Sequence, residues 1–275
     1  MLLYTKEQTQ NIHEQSFAYL KVVEENHVLN LTLNRPKQKN ALNEIITKEL
    51  AFAISYAQHN NSIWAVTLGA EGDVFCAGAD LKTFMGHKDS DSGSSIPDAS
   101  ETIILGDLFD NLHKPCIAKV GKPVYAGGFL LLAGCTHVVA TSSSTFTLSE
   151  VKRGIWPFQV MASLLKIMPE RKVLDWCITG STWSAKYAFE AGLVTMLVQD
   201  NDLEDSVSAL LEQICQNAPT AIRLGLKALQ ELKEIPVAKQ HQFLHERLME
   251  IIQTKDAQEG MLAFREKRKA NWSGE

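Results

Sequence analysis

No two cysteines of this 275-residue chain stand in a C-x-x-C arrangement, and their number is odd. Cys76, Cys116, Cys135, Cys177 and Cys215 therefore offer neither a zinc ribbon nor a thioredoxin-like redox pair. Buried free thiols in a reducing compartment are the expectation. Long apolar runs are missing too. The longest, Phe129–Ala133, is far below the ~20 residues that cross a bilayer. The N-terminal stretch MLLYTKEQTQNIHEQ turns polar after two leucines and lacks a signal-peptide core. These absences predict a cytoplasmic protein with no membrane partner. Basic excess is lacking as well: 27 Lys and Arg against 32 Asp and Glu give a net charge of −5, which argues against nucleic acid as a global partner. An anionic ligand would need a local basic cluster. P-loop, G-x-S-x-G and G-x-G-x-x-G signatures are absent, as is any repeat of fixed period. His241 and His245 share a helix face, but none of the eight histidines has metal-ligand spacing, so no metal is expected.

What is present is an ordinary globular composition, 45% hydrophobic and 21% charged, sufficient for a full core. Residues 1–17 are polar and read as a loose leader or a surface helix. Leu20–Val23 and Val28–Leu33 are β-rich runs around a polar turn, a hairpin signal. Ile46, Leu50, Ala53, Ile54 and Ala57 fall at helical spacing within Asn43–Asn60. Strands are expected at Ala65–Leu68, Cys116–Val120, Val138–Ala140, Thr145–Leu148 and Val194–Val198, and a helix over Thr102–Leu112. Gly86–Ser100, GHKDSDSGSSIPDAS, reads as a flexible loop or a lid. From about Gln159 the pattern is mainly helical. The class is α/β with a helical C-terminal extension, divided into 1–17, 18–200 and 201–275.

Three junctions between strands and following turns carry the chemistry. In Phe75-Cys76-Ala77-Gly78-Ala79-Asp80-Leu81, small residues let the backbone approach a ligand, and Asp80 suits the N-cap of a helix beginning at Leu81. Ala126-Gly127-Gly128-Phe129 repeats the pattern. Two such backbone N–H groups converging would form an oxyanion hole; taken singly, each junction is equally a tight turn. In the third, Phe146 to Pro157, Glu150 lies among apolar residues, a setting that raises a carboxyl pKa and suits proton transfer. Lys152 and Arg153 could instead make it a surface ion-pair partner. Cys76 has no base placed to activate it and reads as a small packed residue.

Together with Asn34-Arg35-Pro36-Lys37-Gln38-Lys39-Asn40-Ala41-Leu42 and Ala263-Phe264-Arg265-Glu266-Lys267-Arg268, these segments resemble the crotonase (enoyl-CoA hydratase/isomerase) family, in order, from about Tyr19 to Trp272. The resemblance implies a spiral of ββα units with a C-terminal helical region that mediates trimerisation, as a homotrimer or a dimer of trimers. It implies an acyl-CoA thioester substrate, in fatty acid metabolism, with coenzyme A entering as part of the substrate and no separate cofactor. Ala79 and Gly127 fall on the two oxyanion donors, and Glu150 on an acid/base glutamate. The CoA contacts fall near Arg35, Lys37, Lys39, Ala41, Ala77, Asp80, Leu81 and Lys82, with Lys267 from the last helix of the same or a neighbouring subunit. One departure bears on the reaction. Hydratases of the family usually carry a further glutamate four residues into the helix after the second junction, and here Leu130 stands there. A lone carboxylate suits a shuttle of one proton from C2 to C4 of a 3-enoyl thioester, as in Δ3,Δ2-enoyl-CoA isomerases. A hydratase, a thioester hydrolase or decarboxylase on the same fold, and a non-catalytic acyl-CoA binder with Glu150 turned outward remain the other readings.

Overall fold

The computed structural model describes residues 3–80 and 93–275. Its first layer grows from the Leu20–Glu25 (β1) and Val28–Leu33 (β2) hairpin. The two turn residues, Asn26 and His27, both have positive φ (50° and 66°), the backbone twist a two-residue hairpin needs. Ala65–Ala70 (β3), Cys116–Val120 (β4), His137–Thr141 (β6) and Met196–Val198 (β9) add to β2 in parallel, in the order β1-β2-β3-β4-β6-β9. The near-continuous apolar sequences of β3, β4 and β6 follow from burial on both faces. A smaller three-stranded sheet joins Val124–Tyr125 (β5), Thr145–Thr147 (β7) and Thr182–Ser184 (β8).

The Glu44–His59 helix buries Ile46, Leu50, Phe52, Ala53 and Ile54 against the large sheet. Asn43 caps its first turn, accepting from Ile46 N at 3.0 Å. At its other end, the buried Lys114 ammonium donates to the carbonyls of Ala57 and Asn60, groups that a helix end leaves unpaired. Beyond residue 200 the chain is helical: Leu203–Cys215, Pro219–Leu232, Gln240–Ile251 and Lys255–Glu266. Among the described residues no helix is long and apolar enough to cross a membrane.

Three local expectations change. Residues 3–17 pack down: Tyr4 and Ile12 enter the main core, and Tyr4 Oη donates to Pro97 O at 3.0 Å. Thr102–Leu112 holds a 3₁₀ segment, Leu105–Asn111, in place of an α-helix; β-branched residues and Gly106 lower helix propensity there. Of the Gly86–Ser100 stretch, residues 86–92 lie outside the described residues. The rest is irregular but anchored, with Ile96 buried and Ser95 N bonded to Ser16 O.

Candidate active site

Parallel pairing carries the three junctions to one end of the small sheet. Cys76 bridges Val124 in parallel, β5 pairs β7 with Tyr125 opposite Thr147, and Ala126 N donates to Thr147 O at 3.0 Å. The segments following Cys76, Tyr125 and Thr147 therefore leave neighbouring strands on the same side.

At the first junction, Leu42 clamps the backbone on both sides of Ala79. Leu42 N donates to Gly78 O (2.8 Å) and Asp80 N donates to Leu42 O (2.9 Å). In an extended chain, alternate residues direct their amides to opposite edges, so Ala79 N–H faces away from Leu42. It faces Gly127: a Cβ built on Gly127 would lie 3.3 Å from Ala79 N. Gly78 has φ +87°, and a Cβ there would meet Gly127 N at 2.8 Å and Ala126 Cβ at 2.6 Å, so only glycine fits. Ala126 takes the left-handed conformation too, at φ 50°, a cost of about 1–2 kcal/mol for an alanine. Among the described residues neither Ala79 N–H nor Gly127 N–H has a hydrogen-bond acceptor. Two unpaired donors at one opening are the components of an oxyanion hole.

Glu150 follows β7 at the third junction. Its Oε2 is buried without a hydrogen-bond partner. Burial pushes its carboxyl above the ordinary glutamate value, and the nearby Arg153 charge only partly opposes this. Neither Lys152 nor Arg153 forms an ion pair with Glu150 among the described residues; Arg153 Nη1 donates to Ser149 Oγ at 2.7 Å. The outward-turned carboxylate that would suit a silent binder is thus not the observed arrangement. The Cys177 thiol, pushed up to about 11 chiefly by burial and next by the Glu150 charge, lies close by. Leu130, on the Gly128–Gly134 helix, is buried at 7% exposure.

The basic residues separate into two groups. Arg35 was expected at the CoA phosphates, but its side chain is only 5% exposed. Its Nη1 lies 2.7 Å from Asp80 Oδ2 and donates to Ala41 O at 3.1 Å, and its guanidinium sits 5.0 Å from the Tyr19 ring centre. The charge is used inside the fold, bracing Ala41 and the residue after Ala79. Asp80 is correspondingly an ion-pair partner; Leu81 and Lys82, and with them the helix expected from Leu81, lie outside the described residues. Lys37 and Lys39 are exposed on the same loop, and Ala41 and Ala77 are half-buried beside it. Ala77 N donates to Lys39 O at 3.0 Å. Lys267 is exposed at the C-cap of Lys255–Glu266, and no hydrogen bond or ion pair ties its side chain to the cleft among the described residues.

Asn40 is the residue that sequence reasoning passed over. Fully buried at φ 53°, it accepts from Arg35 N and donates to the carbonyls of Glu71 and Val74, all at 2.8 Å. It fastens the first loop to the strand leading into the first junction. Its place in the N-R-P-x-x-x-N-A-L segment was the available signal.

Comparison with known proteins agrees with this layout. Residues 23–275 match the family model described as Enoyl-CoA hydratase/isomerase. Enoyl-CoA hydratase EchA19 of Mycobacterium tuberculosis is 31% identical over 90% of this chain and 93% of its own. Carnitinyl-CoA dehydratase of Salmonella arizonae is 30% identical over 93% and 98%. A human relative at 26% identity, covering 90% of this chain and 81% of its own, is named as mitochondrial, which leaves the cytoplasmic expectation without support from relatives. The crystal structure of an enoyl-CoA hydratase from Mycobacterium tuberculosis superposes with a TM-score of 0.82 at 29% identity, covering 94% of this chain and all of the other. With its two packed sheets, helical C-terminal region and converging junctions, the chain belongs to the enoyl-CoA hydratase/isomerase family, within the crotonase superfamily.

Proposed function

We propose that this protein moves the double bond of a 3-enoyl-CoA thioester into conjugation, with Glu150 as the single acid/base group. The observation that carries this reading is the buried, unpartnered Glu150 Oε2 at the end of the sheet where two unpaired N–H groups meet, with Leu130 where a second carboxylate would stand. Glu150 takes the proton from C2. The electron pair delocalises onto the thioester oxygen, where the N–H groups of Ala79 and Gly127 stabilise the dienolate, each worth about 3–4 kcal/mol. The same carboxyl group then returns the proton at C4, so the product is the 2-enoyl isomer with nothing gained or lost. Apolar Leu130 keeps water from the opposite face. Exposed Lys37 and Lys39 suit the phosphates of CoA.

A second reading is hydration of the 2-enoyl thioester, favoured by the hydratase and dehydratase names of relatives near 30% identity; it needs an ordered water or another group to supply the second proton. A further part of the proposal is self-association through the C-terminal helices, which expose Leu248, Met261 and Phe264, the last at 87%.

Glu150→Gln tests the common core of both readings. The variant is expected to bind acyl-CoA as the wild type does while turnover falls at least ~10²-fold, the low end for a general base. A near-normal rate would remove Glu150 from the chemistry.

A further inference from the structure

A second cluster of charge lies away from the cleft, below the end of the Glu44–His59 helix. Asn61, Trp64, His113, Lys114, Arg223 and Gly274 line a cavity of about 10 Å³, which is room for one water-sized particle. We propose that it is a binding site for a monoatomic anion, chloride under ordinary conditions.

The donors come from separate parts of the chain. Lys114 is 3% exposed; two of its three N–H groups serve Ala57 O and Asn60 O, which leaves one for the cavity. Trp64 Nε1 is buried and has no hydrogen-bond partner, while its ring is fixed by a stack on His27 with centroids 3.7 Å apart. Arg223 makes no hydrogen bond or ion pair among the described residues. His113 contributes no anionic group: its Nδ1 accepts from Gln58 Nε2 at 3.1 Å when the ring is neutral, and burial pushes its pKa down.

The carboxylates around it are engaged elsewhere: Glu231, whose charge reaches His113, lies 3.7 Å from Lys227 Nζ. Asp256 Oδ1 accepts from the backbone of Ser273 and Gly274 and from Ser273 Oγ, and Oδ2 accepts from Thr220 N. It pairs with neither Lys114 nor Arg223. The Lys114 ammonium is pushed down to about 7, first by burial and then by the like charge of Arg223. A charge on buried Lys114 beside the half-buried guanidinium of Arg223 is costly without a counter-charge. Room for one water-sized particle favours a monoatomic anion over phosphate or sulfate, and the donors of Trp64, Lys114 and Arg223 all suit it.

Bromide is the probe. Crystals soaked in sodium bromide should give an anomalous peak within hydrogen-bond reach of Trp64 Nε1 and Lys114 Nζ. In solution, the melting temperature at constant ionic strength should rise by a few degrees when sodium gluconate is exchanged for sodium bromide, because a ligand of the native state stabilises it. Arg223→Gln and Trp64→Phe, which keeps the stacked ring, should each abolish that rise. The proposal is overturned by a cavity holding only water, by a carboxylate of a second copy filling it, or by equal halide responses in wild type and both variants.

Discussion

Gly127 permits an unusually clean test of the oxyanion assignment. Its backbone is right-handed, φ −56° and ψ −13°, so alanine or valine can take its place without backbone strain. The added Cβ would lie 3.3 Å from Ala79 N and 3.4 Å from Gly78 Cα, on the approach to the first donor and outside the packed core. Gly127→Ala should therefore cost about one donor, 10²–10³ in kcat, or ~2.7–4 kcal/mol. Gly127→Val places two further methyl groups in the same opening and should cost both donors, a loss of about 10⁴ or more. The Gly78–Ala79 backbone must give by a few tenths of an ångström, so stability should fall by about 1 kcal/mol for alanine and about 1–3 kcal/mol for valine. Gly78→Ala supplies the contrast. With φ +87° and a Cβ 2.6 Å from that of Ala126, it should lower the melting temperature as well as the rate. The assay is steady-state turnover of enoyl-CoA thioesters beside thermal unfolding of each variant. A Gly127→Val protein that is folded and turns over at a near-wild-type rate refutes the reasoning.

Other perturbations follow from the same geometry. Arg35→Met should destabilise the fold by about 1–3 kcal/mol, because it removes the 2.7 Å ion pair with half-buried Asp80; chemical denaturation measures this, and an unchanged midpoint would show the pair to be idle. The rate should rise with pH as Glu150 ionises, with an apparent pKa above the ordinary glutamate value. The linked stability has the opposite sense: between the unfolded and the raised folded pKa the native state holds more protons, so Glu150 contributes stability that is lost as pH rises through that window. A pH–rate profile with its acid limb at or below the ordinary value would contradict the burial. Leu130→Glu should raise hydration of a 2-enoyl thioester relative to isomerisation, while costing several kcal/mol of stability for a carboxylate at a site 7% exposed. Unchanged product ratios in a folded variant would show that Leu130 does not select the reaction.

Much of the fold was legible because its elements carry local signals. Val28–Leu33 and Cys116–Val120 coincide with their apolar runs, and the helix that follows Asn43 is capped by Asn43 itself. The three junctions could be read because small residues in a fixed order leave few backbone alternatives. Their convergence could not, since it rests on β5, a strand of two residues with no periodicity of its own. Arg35 was misplaced for a related reason. An arginine beside proline and two lysines reads as surface charge, and only the pairing with Asp80, 45 positions later, shows it to be internal. Lys114 was equally silent: a lone lysine before Pro115 gives no hint that it closes the end of a helix more than 50 residues away.

The central claim, one carboxylate serving both C2 and C4, is tested most directly by incubating the protein with a 3-enoyl-CoA thioester in D₂O and following double-bond position and deuterium by NMR and mass spectrometry. The account predicts conversion to the 2-enoyl thioester faster than water adds to it, with part of the C2 hydrogen carried to C4 undiluted by solvent. Rapid hydration of the 2-enoyl thioester with negligible isomerisation would contradict it.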